Sequence, residues 1–331
     1  MKVGILGTGM IVKALLKTID LLEFEKIYIL GTDQTKEETE ELAKKYSLEK
    51  CFYDYQEMLK SDVDTIYVAL PNHLHYMFAK QALLHDKHVI IEKPITSNYK
   101  ELQDLIDIAN QRKLIILEAM NIHYLPAYQS MKNILPKLGQ LKIISLNYSQ
   151  YSSRYNAFKS GTVLPAFDYH KSGGALMDIN VYNIHFVVGL FGKPQKVTYL
   201  ANIERHIDTS GILTLDYDSF KVICIGAKDC KAPITSLIQG DQGCIVLHKP
   251  VNSFMEYDVM LHDQEKQTYH FDENKHRLYY EFKEFISIIE QKDYDRANEM
   301  LIISSIASEL MQEARKQAGI QFDSDTEMFH S

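Results

Sequence analysis

A chain of 331 residues, 46% hydrophobic and 24% charged, has the length of about two domains. Its composition excludes a disordered, collagen-like or coiled-coil protein. With Lys+Arg at 36 and Asp+Glu at 44, the net charge is −8, which argues against a nucleic-acid partner, since broad phosphate binding needs clustered cations. No apolar run nears the ~20 residues that span a bilayer, so no membrane partner is expected, and the start Met-Lys-Val-Gly-Ile-Leu-Gly carries no secretory pattern. Cys51, Cys224, Cys230 and Cys244 are scattered, with no Cys/His spacing that matches a metal site. They read as reduced thiols of a cytoplasmic, metal-free protein.

The first ~120 residues alternate between strand and helix patterns. Strands are expected at Lys2–Leu6, Lys26–Leu30, Thr65–Leu70, His88–Ile91 and Leu114–Leu117, and helices at Met10–Ile19, Lys36–Lys45, His73–Leu84 and Tyr99–Gln111. Continuous apolar strands separated by helices mean a parallel sheet covered on both faces. After about Glu118 the texture changes. A helix follows Pro126, and period-2 runs occupy Lys142–Tyr148, Lys196–Asn202, Ile212–Tyr217, Lys221–Ile225, Ser236–Gln239, Cys244–Leu247 and Met255–Leu261. They predict a large, mostly antiparallel sheet, interrupted by a helix from about Ser172 to Leu190. Helices near Leu278–Gln291 and Asp295–Ala318 close the chain, and a frayed tail follows from about Asp323. The domains expected are residues 1–120 and 121–331.

Four segments carry candidate chemistry. Gly7-Thr8-Gly9, with Met10 and Ile11 opening the helix, follows the first strand. A tight glycine turn lets backbone N–H groups approach a pyrophosphate with no Cβ in the way. The third fingerprint position holds Val12 in place of the usual Gly or Ala. Asp33 ends the second strand, where a carboxylate accepts ribose hydroxyls and repels a 2′-phosphate, favouring NAD over NADP. Leu70-Pro71-Asn72 with His75, and Glu92-Lys93-Pro94, leave parallel strands at their carboxyl ends, where open α/β sheets bind ligands. Asn72 and His75 are placed to reach a cofactor ribose. Pro94 can set a fixed turn, cis or trans, that aims Lys93 inward; partial burial there would lower the lysine pKa and suit it to proton donation. Finally, Gly173-Gly174-Ala175-Leu176-Met177-Asp178 opens a helix on which Asp178, Tyr182 and His185 share one face.

Together these segments resemble the Gfo/Idh/MocA family of dinucleotide-dependent oxidoreductases, most specifically through Glu92-Lys93-Pro94 and Gly173–Asp178 and more weakly through Gly7-Thr8-Gly9, Leu70-Pro71-Asn72 with His75, and Gln239-Gly240 with Gly243. The likeness covers essentially the whole chain. It implies an N-terminal Rossmann domain followed by an α/β domain whose open sheet forms a homodimer or homotetramer interface. It also implies that Lys93 is catalytic, with Asp178 and Tyr182 as partners. Tyr182, where inositol dehydrogenases carry His, is more similar to the glucose-fructose oxidoreductase and dimeric dihydrodiol dehydrogenase branch. Two departures bear on the site. Asn180 replaces a usual glycine, and Asn121-Ile122-His123 replaces an Arg-containing segment. The stretch Tyr148–Arg154 is similar to a bacterial subgroup of the family, and Asn121, Arg154, Tyr155 and His185 are the candidate substrate contacts. The expected function is reversible hydride transfer between nicotinamide C4 and a CH–OH/C=O carbon of a small polyhydroxylated substrate, with Lys93 and Tyr182 handling the proton. Two alternatives use the same fold: a non-catalytic dinucleotide-sensing regulator, and a reductase of a larger planar carbonyl compound with an apolar cleft around Tyr151, Tyr155 and Phe167.

Overall fold

Two sheets organise the chain, and the change of texture near residue 120 falls between them. The computed structural model describes residues 1–327. Strands β1 (Lys2–Leu6), β2 (Lys26–Leu30), β3 (Lys50–Phe52), β4 (Thr65–Val68), β5 (His88–Glu92) and β6 (Ile116–Ala119) form a sheet in the order β3-β2-β1-β4-β5-β6. Every pairing is parallel. Crossovers run through α1 (Met10–Leu16), α2 (Lys36–Lys45), α3 (Tyr55–Leu59), α4 (His75–Leu84) and α5 (Tyr99–Arg112). The central strands are buried on both faces, with Val3, Ile5, Ile66, Val68, Val89 and Ile91 all at 0% exposure, which explains their unbroken apolar runs. The order reverses at β1, between β2 and β4; that switch point is where such sheets open a ligand crevice.

The second sheet has eight strands in the order β14-β13-β12-β11-β7-β10-β9-β8. They are β7 (Leu141–Ser149), β8 (Lys196–Glu204), β9 (Ile207–Asp216), β10 (Lys221–Ala227), β11 (Ser236–Gly240), β12 (Gly243–Leu247), β13 (Glu256–Leu261) and β14 (Gln267–His270). Among the described residues, only the β7–β10 pairing of this sheet is parallel. One face buries Ile144, Leu146, Leu213, Leu215, Val222 and Cys224, while the other leaves Ile143, Leu200, Ile212, Ile223 and Met260 exposed. Helices α6 (Pro126–Ile134), α7 (Tyr155–Lys159) and α8 (Val181–Phe191) accompany this sheet, followed by α9 (Arg277–Gln291), α10 (Tyr294–Gln317) and the short α11 (Ser324–Glu327). The stretch Tyr169–Phe191 is long and apolar enough to cross a membrane by composition, contrary to the sequence expectation, but 78% of its most apolar window is buried, as in a core helix.

By contact, Met1–Ala119 and Lys275–Ser305 form a first unit, and Met120–Asn274 with Ile306–Ser331 a second. A single cut at residue 120 therefore misplaces α9 and the first half of α10. Their return has a packing cause: Phe282 of α9 meets the Tyr67 ring of β4 edge-on at 5.0 Å, and the Met1 ammonium donates to Glu290 at 2.7 Å.

Candidate functional site

In the first unit, the loop after β1 lies at the switch point. Gly7 has φ +96°, and a Cβ there would press on the Ala69 carbonyl oxygen at 3.0 Å; only glycine suits both conditions. A Cβ on Gly9 would meet nothing within 4 Å, and the neighbouring Met10 is 76% exposed. The backbone thus opens outward where a dinucleotide's phosphates approach such a loop. Val12, at the third fingerprint position, is fully buried, so the larger residue is absorbed by packing. Ile11 is half-buried beside it. Asp33 is exposed and opens a short 3-10 turn. It does not cap α2, because Thr35 occupies the N-cap position, which leaves Asp33 available to a ribose.

Sequence reasoning missed Glu38. Its carboxylate accepts from the Thr8 hydroxyl at 2.6 Å and pairs with Lys13, and Lys13 followed by Thr8 hold its pKa below the usual carboxylate range. The spacing of Lys13 and Glu38, on consecutive helices, gives no linear signal.

The next two loops leave the same edge. His75 was expected to reach the ribose, and the structure corrects this. It is 0% exposed, with Nδ1 2.9 Å from the Pro94 carbonyl and Nε2 2.7 Å from the Leu70 carbonyl. Its ring lies between the carbonyls of the Leu70-Pro71 and Lys93-Pro94 loops, and as a neutral imidazole it donates to one of the two. Burial lowers its pKa to about 4 against the pull of both carbonyls. Asn72 begins a 3-10 turn, half-buried, with Pro71 exposed ahead of it.

At the second loop Lys93 is half-buried and the Lys93–Pro94 peptide is cis. Glu92 is corrected as well. Its carboxylate turns inward and accepts from the Tyr67 hydroxyl at 2.5 Å, and burial raises its pKa. Beneath the loop, Glu118 of β6 accepts from the Ile95 amide at 3.0 Å. Glu281 of α9 joins them at 1% exposure, with neither carboxyl oxygen hydrogen-bonded among the described residues. Burial, then the charges of Glu92 and Glu118, raise its pKa well above the usual range despite Arg277. Of this buried acidic cluster the sequence marked only Glu92, as part of Glu92-Lys93-Pro94.

In the second unit, the Gly173–Asp178 motif folds as its residue types require. Gly174 has φ +105°, and a Cβ there would lie 2.1 Å from Asp208 Oδ1. Asp208, itself buried, accepts from the Leu176 amide at 2.6 Å and the Tyr199 hydroxyl at 2.7 Å. Leu176–Asn180 form one π-helical turn before α8, a feature frequent at functional sites. Asp178 therefore sits on a wider turn than Tyr182, and an ideal i, i+4 face is not what relates them. Asn180 needs no unusual backbone (φ −74°); its amide donates to the Cys224 carbonyl at 3.1 Å and so ties this turn to β10. Asp178 remains part-exposed, with Oδ2 2.7 Å from the ammonium of Lys228. Tyr182 is 8% exposed, its ring 6.0 Å from that of Tyr148.

Three proposed substrate contacts lie in the interior of this unit. His185 is 1% exposed, 3.3 Å from the His123 ring. Asn121 is buried and donates to the Asn252 carbonyl at 2.6 Å. Tyr155 is buried and donates to Glu204 at 2.5 Å, which pushes its pKa up to about 12. Arg154 is exposed at the start of α7. Lys93 stands in the first unit, Asp178 and Tyr182 in the second.

Residues 1–120 match a family model described as an oxidoreductase family with an NAD-binding Rossmann fold. The chain is 34% identical over 330 residues to scyllo-inositol 2-dehydrogenase (NADP(+)) of Bacillus subtilis, covering 97% of this chain and 98% of the relative. It is 24% identical over 341 residues to human trans-1,2-dihydrobenzene-1,2-diol dehydrogenase, covering 97% and 98%. In fold it matches the crystal structure of KijD10, a 3-ketoreductase from Actinomadura kijaniata in complex with NADP and TDP-benzene, with a TM-score of 0.82 at 18% identity over 96% of this chain and 97% of that one.

Proposed function

Because the chain belongs to the Gfo/Idh/MocA oxidoreductase family, we propose that it moves a hydride reversibly between nicotinamide C4 and a CH–OH/C=O carbon of a sugar, polyol or diol. What supports this reading is a half-buried Lys93 leaving the carboxyl edge of the parallel sheet in the first unit and, in the second, a part-exposed Asp178 held on a π-turn before Tyr182. The dinucleotide supplies the hydride donor or acceptor when bound. Gly7, Thr8 and Gly9 hold its phosphates and Asp33 its adenine ribose. Lys93 and Tyr182 handle the proton of the substrate oxygen, exchanging the donor role between two coupled groups, and Asp178 orients the substrate hydroxyls. Relatives named for a cyclic polyol and for a diol support this substrate class.

We assign NAD as the preferred dinucleotide. Asp33 lies just beyond β2, the strand paired with β1, and carries an exposed carboxylate that would repel a 2′-phosphate. The Bacillus relative is named for NADP(+), so the preference is a point of divergence to be measured. Titration with NADH and NADPH decides it; tighter NADPH binding overturns the assignment. The exposed apolar face of the eight-stranded sheet is the interface proposed for a homodimer or homotetramer.

The test of function follows nicotinamide absorbance over a panel of inositols, sugars and diols, with Lys93→Met alongside. The expected result is turnover of at least one polyol or diol, with a loss of at least ~10²-fold in the variant and dinucleotide binding unchanged. Turnover retained by Lys93→Met overturns the role of Lys93. Tight dinucleotide binding with no turnover across the panel favours the sensor reading.

A further inference from the structure

The second unit holds a buried lysine that no motif announces. Lys228 follows β10, and its side chain is 2% exposed. Its ammonium donates to Asp178 Oδ2 and to the Ala166 carbonyl, each at 2.7 Å, and lies 4.5 Å from the centre of the Phe167 ring. The backbone around it is fixed on both sides: its own amide donates to Thr209, and its carbonyl accepts from Ser152. The Ala166 carbonyl also receives the Gly174 amide at 3.2 Å. The lysine thus joins the turn that seats the glycine pair to the carboxylate four residues beyond that pair.

The asymmetry of the ion pair shows what it is for. Asp178 is 37% exposed while its partner is interior. A buried ion pair is weak evidence for stability, because desolvation offsets most of the attraction. Here one charge is drawn fully inside so that the other can be presented outward in one orientation. Asp208, the other nearby carboxylate, already takes the Leu176 amide and the Tyr199 hydroxyl, so the ammonium is directed to Asp178.

We infer that Lys228 is the positioning residue for Asp178, clamping one carboxylate oxygen from the interior of the unit so that the side chain meets the substrate in a fixed pose. The inference rests on the reading of Asp178 as the substrate-side carboxylate. Lys228 moves no proton and touches no reacting atom; it acts through Asp178.

The experiment is a double-mutant cycle of Lys228→Met and Asp178→Asn, read with scyllo-inositol and trans-cyclohexane-1,2-diol as probes and joined to a crystal structure of Lys228→Met. Misplacing a reacting group by about 1 Å costs up to ~10²-fold. Lys228→Met is therefore expected to lower kcat/KM by about 10- to 100-fold, with dinucleotide affinity unchanged. If the lysine acts only through the aspartate, the double variant is no slower than the slower single one, because coupled residues are not additive. The variant's crystal structure should show the Asp178 carboxylate turned from its present direction. Effects that multiply in the double variant, or a Lys228→Met rate within about twofold of the unmutated protein, overturn the inference. So does an unmoved carboxylate. If Lys228→Met fails to fold, Lys228→Gln, which keeps a donor, takes its place in every arm. If the unmutated protein turns over neither probe, the dehydrogenase reading has failed on these substrates. The crystallographic arm then decides the role of Lys228 alone.

Discussion

His75 offers a quantitative test of how the two cofactor-side loops are held. The ring is wholly buried between the carbonyls of Leu70 and Pro94, and burial depresses its pKa from 6.5 to about 4. In the folded protein it is neutral at pH 7, whereas in the unfolded chain it takes a proton near its ordinary value. The folded pKa is the lower of the two, so the unfolded state binds more protons as the solution is acidified. The stabilisation is complete above about pH 6.5 and drains away as the pH falls toward 4. The gap from 6.5 to about 4 corresponds to about 3 kcal/mol at ~1.4 kcal/mol per pH unit, of which about 2 kcal/mol is lost by about pH 5.

The assay is urea unfolding at several pH values between 7.5 and 5, comparing the unmutated protein with His75→Gln, which keeps one donor and cannot titrate. The Gln variant should be the less stable at pH 7.5, and the gap should narrow on acidification by about 2 kcal/mol. Two acceptors facing one imidazole is also the geometry that a doubly protonated ring would satisfy. If the gap widens as the pH falls, the ring is an imidazolium donating to both carbonyls, and the primacy of burial is refuted.

Three further outcomes follow from the same structure. Glu281→Gln should stabilise the protein at pH 7 by about 1–3 kcal/mol, because a buried carboxyl without hydrogen bonds is costly when ionised; its raised pKa means that the carboxyl's contribution is present below 4.5 and lost as the pH rises, so the gain should shrink at pH 4.5, and a Gln variant less stable at pH 7 sinks the idea. Gly174→Ala meets both a positive φ and Asp208 Oδ1 at 2.1 Å, so a loss of at least ~1–3 kcal/mol is expected in thermal or urea unfolding, together with reduced turnover; an unchanged midpoint contradicts it. Leu200→Glu with Ile212→Glu places two carboxylates on cross-strand partners of the exposed sheet face, and light scattering should then report a smaller particle than for the unmutated protein if that face is the interface.

Much of the fold was legible because burial leaves a linear trace. Strands covered on both faces read as unbroken apolar runs, and the sheet with one open face reads with period two. What escaped is short or polar. Lys50–Phe52 has three residues, one of them an exposed lysine, and Gln267–His270 is an edge strand with almost no apolar residue. Neither is long enough for a period to show. The return of α9 to the first unit depends on Phe282 meeting Tyr67, a contact between residues more than two hundred positions apart in the sequence. The π-turn at Leu176–Asn180 is equally hidden, since helical spacing looks the same in sequence until one residue too many is counted in a turn.

The site itself divides along a different line. Residues whose task is to leave backbone bare were visible: Gly7 and Gly174 sit at positive φ against neighbouring oxygens, and no other residue type fits. Charged and titratable residues that turn into the interior were misread or missed, because charge in a sequence defaults to the surface. Glu92 and His75 read as cofactor contacts and turn inward; Lys228 sits in Ala-Lys-Asp-Cys, which reads as an ordinary charged turn after a strand. Glu281 and Lys228 are both buried charges, yet they answer differently to removal. Among the described residues neither carboxyl oxygen of Glu281 has a hydrogen-bond partner, and the charge should be dispensable to the fold at neutral pH. Lys228 is fully engaged by a carboxylate that faces outward, so its loss should appear in turnover through Asp178. A stability gain at Glu281 and a rate loss at Lys228 would separate a charge left over from packing from one kept for the chemistry, a distinction that burial alone cannot make.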